Sequence, residues 1–194
     1  MSYNFLDKIY KSKSLSTSKN LYQKWASSYD NELTENQYVT PLRCAQILSD
    51  YIKNKNIIIL DIGCGTGLSG FALKKNGFKS IDGLDLSEEM LKIAEQKKIY
   101  RSLFNLDLNN STNFNNKYDA IIAAGVISPA HANPDTILSS YSILKKKGLM
   151  IFSINDHALN DSLFFNSINK TIQYSKFILL DQIYGDHIKV LNLK

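Results

Sequence analysis

The sequence contains little cysteine, proline or arginine, and it has no long apolar run. Its two cysteines, Cys44 and Cys64, lack the spacing of a disulfide framework or a metal site, so we expect a reducing compartment, the cytoplasm. No apolar stretch reaches the roughly 18 residues that a membrane span needs, and the N-terminal residues lack the apolar core of a signal peptide. At 194 residues, we expect a single domain covering residues 1–194.

Positive charge is in excess, but it does not indicate a nucleic-acid partner. The net charge is +5, yet only Arg43 and Arg101 are arginines, so bidentate contacts to guanine have few donors. The lysines are scattered, and the runs at 97–98 and 145–147 fall where helices are predicted to end, where cations stabilise the helix dipole. We therefore attribute the charge to a lysine-rich composition and expect no nucleic-acid partner.

The first quarter of the chain predicts helices rather than strands. A first helix is expected near residues 3–11. A second, capped by Ser18, carries apolar residues at helical spacing. The dipeptide Thr40-Pro41 predicts the start of a third helix, with threonine as the N-cap and proline at the first helical position.

From residue 54 onwards, strand-like and helix-like segments alternate. This alternation is typical of an α/β fold with a Rossmann-like, doubly wound and mostly parallel sheet. Two runs near the C-terminus are separated by too few residues for a crossover, which predicts a hairpin and hence one antiparallel strand. We expect residues 1–53 to form an N-terminal helical segment and residues 54–194 to form the core. The predicted strands are 57–62, 80–84, 103–106, 120–124, 149–154, 177–180 and 188–193, and the predicted core helices are 68–75, 88–97, 134–145 and 161–175.

The most informative motif is the segment 57–67, an apolar run that ends in Asp61 and continues into three glycines. Its β-branched residues predict a buried parallel strand. Gly63, Gly65 and Gly67 let the backbone approach a ligand closely, because no Cβ stands in the way. The helix that follows can direct its unpaired N–H groups at a ligand. Since ligands of open α/β sheets bind outside the carboxyl ends of the strands, we predict a nucleoside-cofactor pocket there.

Two further acidic residues are predicted at the same edge of the sheet. Asp85 ends the second predicted strand, 22 positions after Gly63, close to the roughly 20 expected for a carboxylate that binds a ribose diol. Asp107 lies between two leucines after the third strand and can accept a hydrogen bond from an adenine amino group. The alternatives are that Asp85 caps the next helix, a task that Ser87 suits better, and that Asp107 is a turn residue.

Residues 65–70 also match the dinucleotide-binding pattern G-x-G-x-x-G, so an NAD-dependent oxidoreductase is the main alternative. Three features oppose NAD. Asp61 places a negative charge ahead of the loop, where it would repel a pyrophosphate. Asp107 suits an adenine-binding pocket without phosphate, and the terminal hairpin is not a second mononucleotide-binding half.

These motifs resemble those of class I S-adenosylmethionine (SAM)-dependent methyltransferases. Residues 60–67 match the LDxGxGxG motif of that family, and the resemblance continues through residues 83–91 and 117–125. Residues 22–30 are similar to the Y-x-x-W-A-x-x-Y-D segment of small-molecule methyltransferases of the ubiquinone-biosynthesis type and the Williams–Beuren critical-region methyltransferase-like group. The family usually has Lys-Pro-Gly-Gly before its fifth strand, where residues 145–148 of this chain read Lys-Lys-Lys-Gly.

The resemblance implies that the chain transfers a methyl group from SAM to a small molecule and leaves S-adenosylhomocysteine (SAH). It implies that Asp85 holds the ribose hydroxyls, that Asp107 binds the adenine amino group and that Asp61 supports the loop and the amino end of the methionine. The other implied cofactor residues line the methionine (Gly63, Cys64, Gly65 and Gly67), flank the adenine (Leu86, Met90 and Leu108), lie near the sulfonium (Ala124) or form part of an N-terminal lid (Tyr22, Trp25 and Tyr29). For the three aromatic lid residues, plain helix packing is the alternative, and for Cys64 the alternative is a small loop residue.

The candidate catalytic base is His131, which follows the fourth predicted strand and can titrate near neutral pH. His157 is a weaker candidate, His187 is taken as structural, and the dispersed histidines predict no metal site. A SAM-binding protein without transferase activity and an RNA or DNA methyltransferase remain alternatives, although the chain has no Asn-Pro-Pro-Tyr or Asp-Pro-Pro-Tyr motif. The sequence indicates neither the methyl acceptor nor the oligomeric state.

Overall fold

The computed structural model describes residues 8, 15–35, 38–107, 118–128, 132, 135–172, 176–179 and 186–192. Its strands are β1 (Ile58–Ile62), β2 (Ser80–Asp85), β3 (Ser102–Asn105), β4 (Tyr118–Ala123), β5 (Leu144–Asn155), β6 (Lys176–Leu179) and β7 (Asp186–Asn192). Its helices are α1 (Leu15–Trp25), α2 (Tyr29–Glu35), α3 (Thr40–Tyr51), α4 (Leu68–Lys75), α5 (Glu88–Gln96), α6 (Asp135–Ile143), α7 (Asp156–Asn160) and α8 (Ser162–Ile172). Within these ranges, no helix combines the length and the apolar character needed to cross a membrane.

The described strands form one sheet in the order β3-β2-β1-β4-β5-β7-β6. The first five strands of that order are parallel, and Ile59 of β1 pairs with Ile81 of β2 and Ala120 of β4. The strand order reverses between β1 and β4, and open α/β sheets bind their ligands at the carboxyl ends of such strands. The prediction of a mostly parallel, Rossmann-like α/β sheet is therefore confirmed.

The parallel strands read as apolar runs because both faces of the sheet are covered. Leu60, Ile62 and Ile121 belong to the core on one face. Ile59 and Ile122 belong to the core on the other face. Successive side chains of a strand point to opposite faces, so a single apolar run contributes to both cores.

At the end of the sheet that follows β5 in the strand order, β7 runs antiparallel to both of its neighbours, β5 and β6. Ile151 of β5 lies opposite Val190. His187, which the sequence predicts in the connecting turn, lies within β7 and opposite Ile154. The strand starts before the histidine because its pairing with β5 continues to the end of that strand.

The lysine run 145–147 lies in β5 and not at the end of a helix, contrary to the prediction. The ammonium group of Lys145 donates to Oδ1 of Asp119 over 2.8 Å. Oδ2 of Asp119 accepts the N–H of Ile58, at the start of β1, also over 2.8 Å. β5 begins at Leu144 instead of near residue 149 because Leu144 already pairs with Tyr118 of β4, and the ion pair lies beside this start.

The N-terminal helices differ from the prediction at their ends. Ser18 does not cap the second predicted helix, because α1 already begins at Leu15. Thr40 is the first residue of α3 and not its N-cap, since Val39 precedes it and the Thr40 side chain is buried. The predicted helix at 3–11 lies outside the described residues, apart from residue 8. The single helix predicted at 161–175 is α8, and the separate α7 comes directly before it.

The N-terminal segment packs on the core through a third apolar cluster. Trp25 and Leu33, which are 1% and 3% exposed, form its buried centre. Leu68, the first residue of α4, packs against them. Since α4 follows the loop after β1, this cluster brings α1 and α2 to the carboxyl edge of the sheet. The other partly buried members of the cluster are Leu21, Tyr22, Tyr29 and Tyr38.

Candidate functional site

The glycine loop, residues 63–67, connects β1 to α4 at the carboxyl edge of the sheet. Gly63, Gly65 and Gly67 have φ angles of +62°, +53° and +98°, a backbone region that residues with a Cβ rarely adopt. A Cβ on Gly63 would lie 2.4 Å from the side chain of Val126, so this glycine is required by packing. A Cβ on Gly65 would meet no described atom within 4 Å, so this glycine borders open space that a ligand can enter.

Cys64 lies in the glycine loop, and its thiol is packed between the carbonyl oxygen of Gly65, 3.9 Å away, and β2. The thiol is buried, and a Cβ on Gly83 of β2 would lie 2.9 Å from its sulfur. Burial, with smaller contributions from the negative charges of Asp61 and Asp85, raises the pKa of the Cys64 thiol well above its usual value. We therefore expect the backbone of Cys64, and not its thiol, to face a cofactor.

Asp61 is fully buried at the end of β1. Its Oδ2 accepts a hydrogen bond of 2.7 Å from the hydroxyl of Tyr100, whereas Oδ1 is buried and has no hydrogen-bond partner among the described residues. Burial raises the pKa of Asp61 to about 7. The hydrogen bond from Tyr100 opposes this rise, the negative charge of Asp85 adds to it, and the backbone of Gly70 opposes it to a smaller extent. A cation placed beside Oδ1 would therefore stabilise the charged carboxylate.

Tyr100 is a site residue that the sequence analysis missed. A Cβ on Gly70 would lie 2.4 Å from its hydroxyl oxygen, and a Cβ on Gly67 would lie 3.2 Å from its ring. A Cβ on Gly83 would lie 3.0 Å from the ring. The glycines thus leave room for the phenol of Tyr100 to reach Asp61. This packing explains why residue 70, the last glycine of the G-x-G-x-x-G match, has no side chain. Nothing local in the sequence marks Tyr100, because its partners come from three separate segments.

Asp85, at the end of β2, connects two loops of the carboxyl edge. Its Oδ2 accepts the N–H of Gly65 over 2.8 Å, and its Oδ1 accepts the N–H of Ser87 over 2.8 Å. Ser87 is the N-cap of α5, since its hydroxyl accepts the N–H of Met90, so Asp85 does not have that task. Burial raises the pKa of Asp85, and hydrogen bonds from the backbone of Ser87, Gly65 and Leu86 oppose the rise. Each carboxylate oxygen retains a lone pair for a further donor.

Asp107 follows β3 and lies at the same edge of the sheet as Asp85. In the register of the two parallel strands, Asp85 pairs with Asn105, and the N–H of Leu106 donates to the carbonyl oxygen of Asp85 over 3.2 Å. The side-chain amide of Asn105 donates to the carbonyl oxygens of Asp85 and Leu86, at 3.1 and 3.0 Å. Asn105 is a second residue that the sequence analysis missed, and it holds the ends of β2 and β3 together.

The remaining predicted contacts of the adenine and the sulfonium are only partly described. Met90 is 1% exposed within α5, whereas Leu86 is half-buried. Ala124 is half-buried at the end of β4. Leu108 and His131 lie outside the described residues, and the side chain of His157 does too.

The three aromatic residues predicted for the lid come together in one cluster. The rings of Tyr22 and Trp25 stack with centroids 5.8 Å apart, and Tyr29 meets Trp25 edge-on at 4.5 Å. Such pairs add to the free energy of burial. Since Leu68 at the start of α4 packs against the same cluster, the aromatic residues lie beside the glycine loop.

Asp30 ties this N-terminal segment to the glycine loop. Its Oδ1 accepts a hydrogen bond from the hydroxyl of Thr66, which lies between Gly65 and Gly67. Its Oδ2 forms an ion pair with the ammonium group of Lys97, at the C-terminal end of α5. Asp30 is the last residue of the Y-x-x-W-A-x-x-Y-D pattern, and the sequence analysis assigned no role to it.

Comparisons with known proteins agree with this geometry. Residues 59–148 match the family model described as "Methyltransferase domain". The YqeM protein of Bacillus subtilis is 28% identical over 142 residues, which are 70% of this chain and 56% of YqeM. Methyltransferase-like protein 27 of Homo sapiens is 27% identical over 143 residues, which are 72% of this chain and 58% of that protein. The chain therefore spans little more than half the length of these two relatives.

Solved structures show the same fold. The crystal structure of a TehB-like SAM-dependent methyltransferase from Corynebacterium glutamicum superimposes with a TM-score of 0.67 at 17% identity, over 89% of this chain and 98% of the other. Residues 59–148 of this chain thus match a methyltransferase domain, and the described sheet has the fold of a solved SAM-dependent methyltransferase. The resemblance drawn from the sequence motifs is confirmed.

We expect the stability of the ligand-free protein to depend on pH through Asp61. The pKa of Asp61 is about 7 in the folded chain, against an ordinary value of 3.8, so the folded state binds more protons between these two values. The contribution of Asp61 to the free energy of unfolding should therefore fall as pH rises through this range. The Asp61→Asn variant lacks this pH-dependent contribution. The Tm of the variant minus the Tm of wild type should therefore increase as pH rises from 3.8 to about 7, and should be constant above that range. Thermal unfolding at a series of pH values measures this, and a Tm difference that is independent of pH would contradict it.

Proposed function

We propose that this protein transfers the methyl group of SAM to a small-molecule acceptor. SAM supplies a methyl group on a positively charged sulfur, so the chain has to bind and orient the donor and exclude water. The observation that carries the proposal is that Asp85 bonds to the glycine loop and lies beside the end of β3, where Asp107 follows. Two acids and an open stretch of backbone thus share one edge of the sheet.

Two features support the fit of SAM to this edge. The buried Oδ1 of Asp61 has no partner among the described residues, and the amino cation of the donor would satisfy it. The space beside Gly65 is open to a ligand. A pyrophosphate would instead bring negative charge towards Asp61, which disfavours NAD at the same edge.

The residues at this edge are proposed to have individual roles. We propose that Asp85 accepts both ribose hydroxyls with its remaining lone pairs, and that Asp107 accepts from the adenine amino group. The backbone of the glycine loop then borders the methionine, and Ala124 borders the sulfonium. Leu86 and Met90 are proposed to flank the adenine. Two roles remain predictions from the sequence: Leu108 as an adenine contact and His131 as the base that an oxygen acceptor would need.

The aromatic cluster of Tyr22, Trp25 and Tyr29 is proposed to act as part of a lid over the bound donor. Its packing against Leu68 and the bond from Asp30 to Thr66 support this role, because both contacts reach the glycine loop or the helix directly after it. A lid of apolar rings would exclude water from the methyl group during transfer. It also narrows the access to the site, which favours a small acceptor over a folded macromolecule.

Isothermal titration with SAM, SAH and NAD tests the choice of donor. We expect SAM and SAH to bind with one site per chain and NAD to give no saturable heat. Saturable binding of NAD together with no response to SAM or SAH would overturn the proposal and restore the oxidoreductase alternative.

An acceptor screen tests the class of substrate. The protein is incubated with SAM and separate pools of amines, phenols, carboxylic acids and thiols, and SAH formation is measured; total protein and total RNA serve as comparison pools. We expect SAH to form with a small-molecule pool. SAH formed only with protein or RNA would overturn the acceptor class, and tight SAM binding without turnover in every pool would favour a SAM-binding protein without transferase activity.

Asp30→Ala is expected to loosen the lid and to weaken SAM binding by about 3- to 10-fold, because the variant loses charge-assisted hydrogen bonds to two segments. Trp25 is the only tryptophan of the chain, so its fluorescence reports the lid directly. We expect red-shifted emission in the ligand-free variant and a higher Kd for SAM. The adjacent and exposed Asn31→Ala is the matched control. Emission and affinity that are the same in both variants would contradict the role of Asp30.

A further inference from the structure

The hydroxyl of Tyr38 lies against the backbone of Gly125. A Cβ on Gly125 would be only 2.3 Å from the Tyr38 hydroxyl oxygen, and φ of Gly125 is +74°. The position is well held on the other side, because the N–H of Gly125 donates to the hydroxyl of Ser153 in β5 over 2.7 Å. Glycine is therefore required here both by its backbone conformation and by the approach of the phenol.

Gly125 lies at the carboxyl ends of β1 and β4. It follows Ala124 directly after β4, and the next residue, Val126, packs against Gly63 of the glycine loop. The strand order of the sheet reverses between these two strands, which is where open α/β sheets bind their ligands. The Tyr38 hydroxyl thus lies one strand beyond the glycine loop, on the side of the site away from Asp85.

Tyr38 comes from the N-terminal segment and not from the core. Its N–H donates to the carbonyl oxygen of Leu33 over 2.9 Å, and its side chain packs in the cluster around Trp25. The ring is therefore oriented by the aromatic cluster, while its hydroxyl reaches the edge of the sheet. Tyr38 is the third site residue that the sequence analysis missed.

We propose that the Tyr38 hydroxyl oxygen contacts the methylsulfonium end of SAM and distinguishes this charged donor from the neutral product SAH. The inference rests on the proposed function, in which the adenine of SAM lies at Asp107, the ribose at Asp85, and the sulfonium near the end of β4. A phenolic oxygen carries partial negative charge, so it attracts a sulfonium and its polarised C–H groups. Once the methyl group has left, the positive charge is gone and this attraction is lost.

The experiment compares the Kd values of SAM and SAH, measured by isothermal titration, in wild type and in Tyr38→Phe. We expect the variant to bind SAM about 3- to 10-fold more weakly, the range of a weak hydrogen bond strengthened by charge, and to bind SAH within about 2-fold of wild type. Tyr51→Phe, which removes the hydroxyl of a half-exposed tyrosine at the end of α3, is the matched control and should change neither Kd.

A second variant keeps the inference testable if Tyr38→Phe fails to fold. Gly125→Ala leaves Tyr38 in the chain but displaces its hydroxyl, so SAM binding should again weaken more than SAH binding. If the affinities for SAM and SAH fall equally, Tyr38 contributes only to packing of the lid. If neither affinity changes, its hydroxyl does not contact the sulfonium. Either result overturns the inference but leaves the proposed function intact, provided that wild type binds SAM. If wild type binds neither ligand, the proposed function fails and the inference falls with it.

Discussion

Gly65→Val is expected to reduce SAM affinity by more than about 100-fold. Gly65 has a φ of +53°, and a side chain built on it would point into open space beside the loop, where we propose that the methionine binds. A valine would fill that space, and its β-branched side chain also disfavours the backbone angle by roughly 1–3 kcal/mol. Isothermal titration with SAM and SAH measures the loss, with circular dichroism as the check that the chain is folded.

The matched control for this variant is Gly77→Val. Gly77 also has a positive φ, +89°, but it lies in the connection between α4 and β2, at the opposite edge of the sheet, and a Cβ there would make an ordinary contact of 3.6 Å with Lys55. Both variants should lower Tm through backbone strain. Only Gly65→Val should lose SAM binding, and an equal effect of the two variants on affinity would mean that the space beside Gly65 is not the ligand site.

Asp85→Ala should weaken SAM binding by about 1.5–3 kcal/mol, roughly 10- to 150-fold, the range for hydrogen bonds to a charged group. The alanine removes the proposed acceptor of the ribose hydroxyls and also the bonds from the N–H groups of Gly65 and Ser87. Asp85→Asn keeps one acceptor oxygen but loses the charge, so its affinity should lie between those of Asp85→Ala and wild type. Isothermal titration of the three proteins gives this order directly.

Glu88→Gln is the control for removing a negative charge from the same region. Glu88 lies three positions after Asp85, in the first turn of α5, where it forms an exposed ion pair with Lys92. Exposed pairs of this kind contribute little to stability. SAM affinity should stay within about 2-fold of wild type. If Asp85→Ala behaved like Glu88→Gln, the assignment of the ribose to Asp85 would be wrong.

The parallel sheet was predictable because its strands carry their own signal. The run ending in Asp61 is apolar and β-branched, and it forms β1 with both faces buried. The spacing from Gly63 to Asp85 likewise anticipated that two loops meet at one edge, and the structure joins them through the N–H of Gly65. Motifs of this kind depend on neighbours close in the chain and on the rule that parallel strands end at the same edge.

The ends of the elements were less predictable. Lys145 looked like the end of a helix, but the preceding Leu144 pairs with Tyr118 of β4, so Lys145 lies in β5. Thr40 looked like an N-cap, but its side chain is buried and Val39 takes that position. In both places a contact with a distant or buried group outweighs a local preference of a few tenths of a kcal/mol to about 1 kcal/mol.

By itself, the sequence determined the order of the strands, the glycine loop and the acids at the carboxyl edge, because periodicity and motif spacing are properties of adjacent residues. Only the tertiary structure decided which side chains from elsewhere reach that loop. Tyr100 bonds to Asp61 across 39 positions and Asp30 bonds to Thr66 across 36. Tyr38 meets Gly125 from a still more distant segment. Such contacts depend on how separate elements pack, and no local pattern encodes them.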